Sequence, residues 1–339
     1  MLIDFAAPVT ADPAQAEAAA GTAEQLGYDG FGAAETRHDV FSTLTLAARA
    51  TTRITLQSAI AVAFARNPMT VAVAANDLQL ISGGRFQLGL GSQVQAHIER
   101  RFAMPWSHPA ARMEEFLGAV RAIWQAWATG ERLAFRGTFY RHTLMTDFFN
   151  PGPHPYGRPP ILLAAVGERM TRVAGRAADG LMVHPLTSVR YLTERTVPVL
   201  REARRSLDDY TLCLSAFVVL GDDEAARARA EQAVRAQIAF YASTPAYRAV
   251  LETHGWTDLA DRLTGMSRRQ DWAGMAGAID DDVLDTFAVS GGAATVAAGL
   301  RERFGGVVDR ISFYTPYPVD PALTAAVAAD LRGHGPRPR

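Results

Sequence analysis

The sequence predicts a (β/α)8 barrel, and three observations lead to that prediction. Short runs typical of β-strands alternate with longer segments of helical period, which is the pattern of parallel strands joined by helices. Eight such runs can be counted within 339 residues, as many as the strands of this barrel. The first run is followed by Ala7-Pro8-Val9-Thr10 rather than by the Gly-x-Gly-x-x-Gly turn of an open Rossmann sheet.

The strands and helices are predicted in alternation. Helix starts and stops support the first of them, because Asp12 before Pro13 is typical of an N-cap and Gly27 of a helix end. Strands are predicted at residues 2–6, 30–34, 55–62, 85–90, 161–165, 180–184, 212–220 and 310–314. Helices are predicted at residues 14–26, 68–81, 170–177, 188–207, 224–241 and 292–304. A further helix is indicated by one apolar stripe with i, i+3, i+4, i+7 spacing, formed by Met113, Phe116, Leu117, Val120, Ile123, Trp124 and Trp127.

Two connections are too long for simple crossovers. They cover residues 129–160 and 244–290, and we expect long loops that serve as lids or substrate walls. No internal repeat, low-complexity tract or linker divides the sequence, so one domain is predicted over residues 1–339.

The charge balance disfavours several classes of partner. The 34 basic and 35 acidic residues nearly cancel, which gives little support for binding to nucleic acid or to an anionic membrane. No apolar run approaches the roughly 18 residues of a bilayer span, and the first residues lack the basic segment of an export signal. We therefore expect a cytoplasmic protein with a small-molecule substrate.

The use of basic and sulfur-containing residues excludes some chemistry. All 34 basic side chains are arginine, so a Schiff-base lysine, a pyridoxal-phosphate attachment and a Walker A loop are excluded. Cys213 is the only cysteine, which excludes an internal disulfide and a cysteine-based metal cluster. Its apolar surroundings predict a packing residue in a core strand.

Candidate functional residues are sought at the carboxyl ends of the predicted strands, where barrel enzymes place their active sites. The second strand is followed by a polar run that includes His38, and loops on a rigid scaffold often carry function. The third strand carries the small residues Ser58, Ala59 and Ala61, which would let a flat ring lie against the backbone. Taken alone, these features also fit a surface histidine and a strand trimmed for barrel packing.

The fourth predicted strand contains two glycines near its end. Glycine is costly inside a strand unless something approaches the backbone closely, and for Gly89 and Gly91 a ligand is the natural candidate. Ser92, His97 and Glu99 follow directly, although charged clusters at helix starts are usually solvated.

The fifth strand leads through small residues into a helix. Ala165, Val166, Gly167 and Glu168 therefore combine free backbone N–H groups with a helix dipole, which suits a phosphate. His184 closes the sixth strand and fits either contact with a ligand ring or buried packing. No His, Asp or Glu set has metal-ligand spacing, and we predict no metal.

These ordered segments resemble the bacterial luciferase-like monooxygenases, and among them the F420-dependent oxidoreductases. The resemblance runs from about residue 2 to residue 317. It is most specific in SAIAVAFARNP at residues 58–68 and in DLQLISGGRFQLGLG at residues 77–91. GRAADG at residues 175–180 also matches the family's placement of Asp-Gly before the sixth strand.

The resemblance implies roles for particular residues. His38 would lie beside the reactive ring of the cofactor, and a non-prolyl cis peptide at Ser58-Ala59 would form a bulge behind it. Gly91, Ser92 and His97 would line the cofactor, whose phosphate would be held by residues 165–168. Where sugar-phosphate dehydrogenases of this group carry an acidic residue, this chain has Val94. His97 and Glu99 are therefore the substitute proton donors, and a glucose-6-phosphate substrate is disfavoured.

The function implied by the resemblance is that of an F420-dependent oxidoreductase. Hydride would move between C5 of the deazaflavin and an organic substrate, while His38 stabilises charge or relays a proton. Two alternatives stay open, an FMN-dependent monooxygenase and a non-catalytic barrel that binds a flavin. The habit of the family implies a homodimer.

Overall fold

The protein was analysed as a computed structural model, which describes residues 1–9 and 12–333. Within these residues, eight parallel strands close into a barrel that helices surround, so the predicted fold is confirmed. The barrel strands are β1 (Leu2–Ala6), β2 (Gly30–Ala33), β3 (Thr55–Ser58), β5 (Phe86–Gly91), β8 (Ile161–Ala165), β9 (Gly180–Val183), β10 (Thr211–Val219) and β12 (Arg310–Tyr314). Short strands outside this set are β4 (Ala61–Val62), β6 (Phe135–Arg136), β7 (Arg141–His142) and β11 (Ala288–Ser290). The ring closes because β1 pairs with β12 and β12 pairs with β10.

Helices alternate with the strands as predicted. Asp12 caps a 3-10 turn, Pro13–Gln15, that leads into the first of them, and it accepts a hydrogen bond from the Ala14 N–H. Gly27 follows the helix with positive φ. The helices are α1 (Ala16–Gln25), α2 (Val40–Ala50), α3 (Pro68–Ile81), α4 (Gln95–Arg100), α5 (Pro109–Thr129), α6 (Glu168–Ala177), α7 (Val189–Tyr191), α8 (Val197–Ala203), α9 (Glu224–Ala242), α10 (Arg248–Glu252), α11 (Thr257–Arg268), α12 (Trp272–Gly277), α13 (Asp281–Phe287), α14 (Ala293–Phe304) and α15 (Pro321–Arg332). The helices α2, α4, α10 to α13 and α15 are additions to the predicted set.

The third predicted strand is broken in the structure. Residues 55–62 form β3 and β4, with the peptide bond between Ala59 and Ile60 in the cis form. The cis bond lies one residue later than the Ser58-Ala59 position that the resemblance implied. Its segment forms the predicted bulge at the carboxyl end of β3.

A layer of polar side chains fills the barrel near the amino ends of its strands. Asp4, Thr55 and Arg310 meet inside it, with Arg310 Nη2 2.6 Å from the Thr55 hydroxyl and Arg310 Nε 2.8 Å from Asp4 Oδ2. A Cβ on Gly30 would collide with all three side chains. Because side chains of a strand alternate between its two faces, this layer identifies the inward-facing positions of every barrel strand through the strand register.

The segment of residues 130–160 corrects the prediction of a lid. It follows the carboxyl end of α5 and contains the antiparallel pair β6 and β7, which packs on the outside of that helix. Glu115 of α5 accepts backbone N–H groups of Phe139 and Tyr140 at 2.7 and 2.6 Å. The segment therefore packs against the outer face of α5 and does not cover the carboxyl ends of the barrel strands.

The segment of residues 244–290 lies at the mouth of the barrel but is not a loop. It contains α10 to α13 and ends in β11, which pairs in parallel with the carboxyl end of β10. A second apolar core, which includes Val234, Leu263 and Val283, joins these helices to α9.

None of the helices in the described ranges is long and apolar enough to cross a membrane.

Candidate active site

A solvent-accessible well enters the barrel at the carboxyl ends of its strands. Inward-facing residues of a closed barrel keep exposed surface only where they border such a space. Six of them are only half-buried and define the well, namely Ala6, Gln87, Ala164, Met182, Ser215 and Ser312. Ala6 of β1 and Ala164 of β8 are small and lie four strands apart in the ring. Between them, the side formed by β2 and β3 carries Gly32 and the half-buried Ala59, which agrees with the sequence-based expectation of room for a flat ring.

The opposite side of the well is aromatic. We call it the aromatic wall and define it by Phe217 and Tyr314 from strand ends, His184 after β9, Tyr241 of α9, and Tyr247. The rings pack on each other, with centroids 4.3 Å apart for His184 and Tyr247 and 5.0 Å apart for Phe217 and Tyr314. The Tyr241 and Tyr314 hydroxyls are 2.9 Å apart and bond each other. Helices of the 244–290 region thus supply part of the site.

His184 is uncharged in this setting. Burial lowers its pKa to about 3, because the charged ring would lose its hydration among aromatic neighbours. Its Nδ1 accepts the Leu186 N–H at 3.1 Å, so the proton of the neutral ring lies on Nε2. Of the two readings left open by the sequence, the structure gives a packed histidine that still carries a free donor.

The polar run after β2 is held in place by Arg66. This guanidinium lies 2.6 Å from Glu35 and 2.7 Å from Asp39, and Glu35 also accepts the Val62 N–H at 2.7 Å. Burial raises the pKa of Asp39, but bonds from Ser42 and Arg66 outweigh it and keep the pKa below its usual value. The ion pairs fix the loop that carries His38, whose side chain is exposed at the mouth.

His97 and Glu99 lie on α4, beside that loop. Both side chains are exposed, and Glu99 accepts a hydrogen bond from Gln95 at 3.0 Å. Arg101 at the end of α4 donates to the carbonyl of Thr36, which joins the two loops. The structure thus brings the regions of the three predicted catalytic residues together at one mouth, and their roles stay predictions.

Several predicted cofactor ligands turn their side chains away from the well. Ser58 and Ala61 are fully buried, and the Ser58 hydroxyl is 2.8 Å from both the N and the O of Gly89. Ala165 faces outward into the core between strand and helices, and the neighbouring Ala164 lines the well instead. Ser58, Ala61 and Ala165 could therefore reach a ligand only through their backbone, whereas Ala59 is only half-buried.

The two glycines of β5 make room for protein atoms, which gives their small size a reason other than a ligand, and the cofactor contact of Gly91 stays a prediction. A Cβ on Gly89 would overlap the Ser58 carbonyl oxygen and lie 2.6 Å from Met182 Sδ. A Cβ on Gly91 would lie 2.8 Å from Ile60 Cδ1. Both glycines are needed because the bulge after β3 packs against β5. Ser92, the residue after Gly91, is half-buried.

Replacement of Gly89 by alanine is expected to lower the free energy of unfolding by about 3 kcal/mol, since the overlap involves backbone as well as Met182. Gly306→Ala is the matched control, because a Cβ there meets nothing within 4 Å and should change stability by less than about 0.5 kcal/mol. Urea denaturation of both variants measures the difference. Equal stability of the two variants would show that the bulge is not packed as described.

The start of α6 provides free donors at the mouth. Gly167 is its N-cap residue and offers no side chain, so the N–H groups of the first turn are not capped by it. The space around the Gly167 Cα is open, which fits the approach of a phosphate. The Glu168 carboxylate is turned to Arg172 at 2.8 Å and is exposed. Only the backbone of Glu168 therefore suits an anion, while half-buried Val166 bonds the Tyr191 hydroxyl through its carbonyl.

The sequence reading missed the aromatic wall and Arg66. The wall combines Tyr314 with Tyr241 and Tyr247, which are far from it in the sequence. No local sequence pattern predicts that these side chains are in contact. Arg66 lies within the stretch of residues 58–68 that carried the family resemblance, and its charge beside a small-residue strand could have been used to pair it with Glu35.

Two other features lie apart from the mouth. A cavity of about 490 Å³ on the outside of the barrel is lined by Trp124, Trp127 and His154, and no predicted site residue borders it. In residues 1–9 and 12–333, no group of three His, Cys, Asp or Glu side chains is placed to hold a metal ion. Cys213 is buried in β10, and burial raises the pKa of its thiol to about 12.

Known proteins resemble this chain over most of its length. An uncharacterized protein of Mycobacterium tuberculosis is 52% identical over 302 residues, which cover 88% of this chain and 89% of the relative. A putative coenzyme F420-dependent oxidoreductase of the same organism is 29% identical over 290 residues, covering 79% and 81%. The structure of the coenzyme F420 dependent tetrahydromethanopterin reductase from Methanopyrus kandleri has a TM-score of 0.79 at 21% identity and covers 98% of this chain and 99% of that one. The model of the luciferase-like monooxygenases matches residues 4–310, and the chain therefore belongs to that family.

Proposed function

We propose that the protein is an F420-dependent oxidoreductase that acts on an organic substrate in the well. The observation that carries the proposal is the shape of the mouth, where the aromatic wall faces the small residues Gly32 and Ala59 across an accessible space. The relative described as a putative F420-dependent oxidoreductase supports the choice of cofactor.

Different residues of the chain would bind the ring and the phosphate of the cofactor. The side of the well opposite the aromatic wall, with Gly32, would receive the ring of the cofactor between Ala6 and Ala164, and the backbone of Ala59 would support it from the bulge. The N–H groups at the start of α6 would hold the phosphate. When bound, F420 would supply a carbon that gives or accepts a hydride.

Other residues would prepare the site for that chemistry. The Arg66 ion pairs hold the loop of His38 above the well, where this side chain would stabilise charge or pass a proton to the substrate. The aromatic wall would keep water from the reacting atoms on its side. His97 and Glu99 are exposed, and we keep them as alternative proton donors.

Titration of the cofactor-free protein with F420 and with FMN tests the choice of cofactor. We expect F420 to bind at least about tenfold more tightly than FMN. The quenching of the F420 fluorescence measures its binding. Tight binding of FMN without binding of F420 would overturn the proposal in favour of an FMN-dependent monooxygenase, the activity for which the family is named.

Gly167→Asp tests the phosphate site with effects of opposite sign. Aspartate is a better N-cap than glycine, so stability should be unchanged or slightly higher. Its carboxylate would occupy the same N–H groups and repel the phosphate, and the Kd for F420 should rise about tenfold or more. Gly167→Asn caps equally without charge and should raise the Kd less. Unchanged F420 affinity in both variants would place the phosphate elsewhere.

A non-catalytic barrel that binds a flavin is the remaining candidate. It shares the well and the phosphate site, so binding alone does not separate it from the enzyme. The two differ in the effect of removing His38.

A further inference from the structure

Two polar atoms of the aromatic wall lack a hydrogen-bond partner within the described residues, and they are neighbours. One is Nε2 of His184, which carries the ring proton because Nδ1 accepts the Leu186 N–H. The other is the Tyr247 hydroxyl, on a ring stacked against His184 with an interplanar angle of 27°. Neither belongs to the fully enclosed polar atoms without a partner. Both donors therefore face accessible space although their residues are largely covered.

The other hydroxyls nearby are already occupied. Tyr241 and Tyr314 bond each other at 2.9 Å, and the Tyr317 hydroxyl donates to the Val218 carbonyl at 2.9 Å while accepting the Leu220 N–H at 2.8 Å. One hydroxyl of the Tyr241–Tyr314 pair donates to the other, and the acceptor keeps its own O–H. His184 Nε2 and the Tyr247 hydroxyl are thus the polar atoms of the aromatic wall that take part in no hydrogen bond within the described residues.

The aromatic wall is also uncharged at neutral pH. Burial lowers the pKa of His184 to about 3 and raises that of Tyr247 to about 12. Burial likewise raises the pKa of Tyr241 and of Tyr314. An anionic group placed against this surface would lose its hydration without gaining a counter-charge, which is costly.

We propose that the well takes an uncharged, largely apolar substrate whose carbonyl or hydroxyl oxygen is bound between His184 Nε2–H and the Tyr247 hydroxyl. Such an oxygen has two lone pairs and can accept from both donors at once. The rest of the substrate would pack on the faces of the rings, which are large apolar surfaces. This inference rests on the proposed function for the statement that the well is the active site.

The test uses acetophenone as the neutral probe and para-acetylbenzoate as its anionic counterpart, with the cofactor-free full chain. Isothermal titration calorimetry should show acetophenone binding at least about tenfold more tightly than the carboxylate. Tyr247→Phe keeps the stacked ring and removes one donor, so acetophenone affinity should fall about fivefold. His184→Phe should have an effect of similar size. Tyr156→Phe, at an exposed position near Gly83 and Gly84, is the matched control and should leave affinity unchanged.

Three results would overturn the inference. They are equal or tighter binding of para-acetylbenzoate, unchanged acetophenone affinity in Tyr247→Phe, and absence of binding by either ketone. Because the titration contains no cofactor, its result is independent of the F420 titration. Failure of the proposed function would appear as loss of F420 binding with ketone binding intact.

Discussion

Replacement of Asp4 by asparagine should lower the free energy of unfolding by about 3–5 kcal/mol. Asp4 and Arg310 are 6% and 4% exposed, and the guanidinium approaches both carboxylate oxygens, at 2.8 and 2.5 Å. Asparagine would leave the charge of Arg310 buried in the barrel without a counter-charge. The midpoint and slope of urea denaturation measure the loss.

Two controls separate this effect from that of removing any carboxylate. Glu194→Gln removes a charge from the exposed pair with Arg190, whose side chains are 54% and 55% exposed, and should cost less than about 0.5 kcal/mol. The double variant Asp4→Leu with Arg310→Met removes both buried charges and should recover much of the lost stability. If Asp4→Asn costs no more than Glu194→Gln, the barrel interior is better hydrated than the structure indicates.

The barrel itself could be predicted because its signal is periodic and local. The predicted strands at residues 161–165 and 310–314 have the bounds of β8 and β12, since each is a short β-type run close to a helical segment. The break between β3 and β4 could not be predicted from periodicity, because it arises from contacts of the bulge with β5.

The sequence predicts those parts of the site that directly follow a predicted strand end. The position of His38 follows from the end of β2, and the start of α6 follows from the end of β8. Which small residues face the well does not follow, because a shift of one residue exchanges the two faces of a strand. Ala165 was chosen where Ala164 lines the well for this reason. The aromatic wall depends on tertiary packing between α9, the residues after it and three strand ends.

His38→Ala should lower the rate of hydride transfer by about 10²–10⁴-fold, the range for loss of a positioned acid or base, while leaving the fold intact. The side chain is exposed, and the loop that carries it is held by Glu35, Arg66 and Asp39 rather than by the histidine. The variant should therefore unfold at the same urea concentration as the parent protein and bind F420 with similar affinity.

The measurement is the single-turnover absorbance change of bound F420 with a neutral ketone or alcohol as substrate. His154→Ala is the matched control, because His154 lies on the outer cavity and bonds Asn76 at 3.1 Å, away from the mouth. An unchanged rate in His38→Ala would remove His38 from the chemistry and leave His97 and Glu99 to be replaced in turn. An unchanged rate in all three variants would remove all three residues from the chemistry, whereas binding of F420 without any turnover in the parent protein would favour a barrel that binds the cofactor without acting on it.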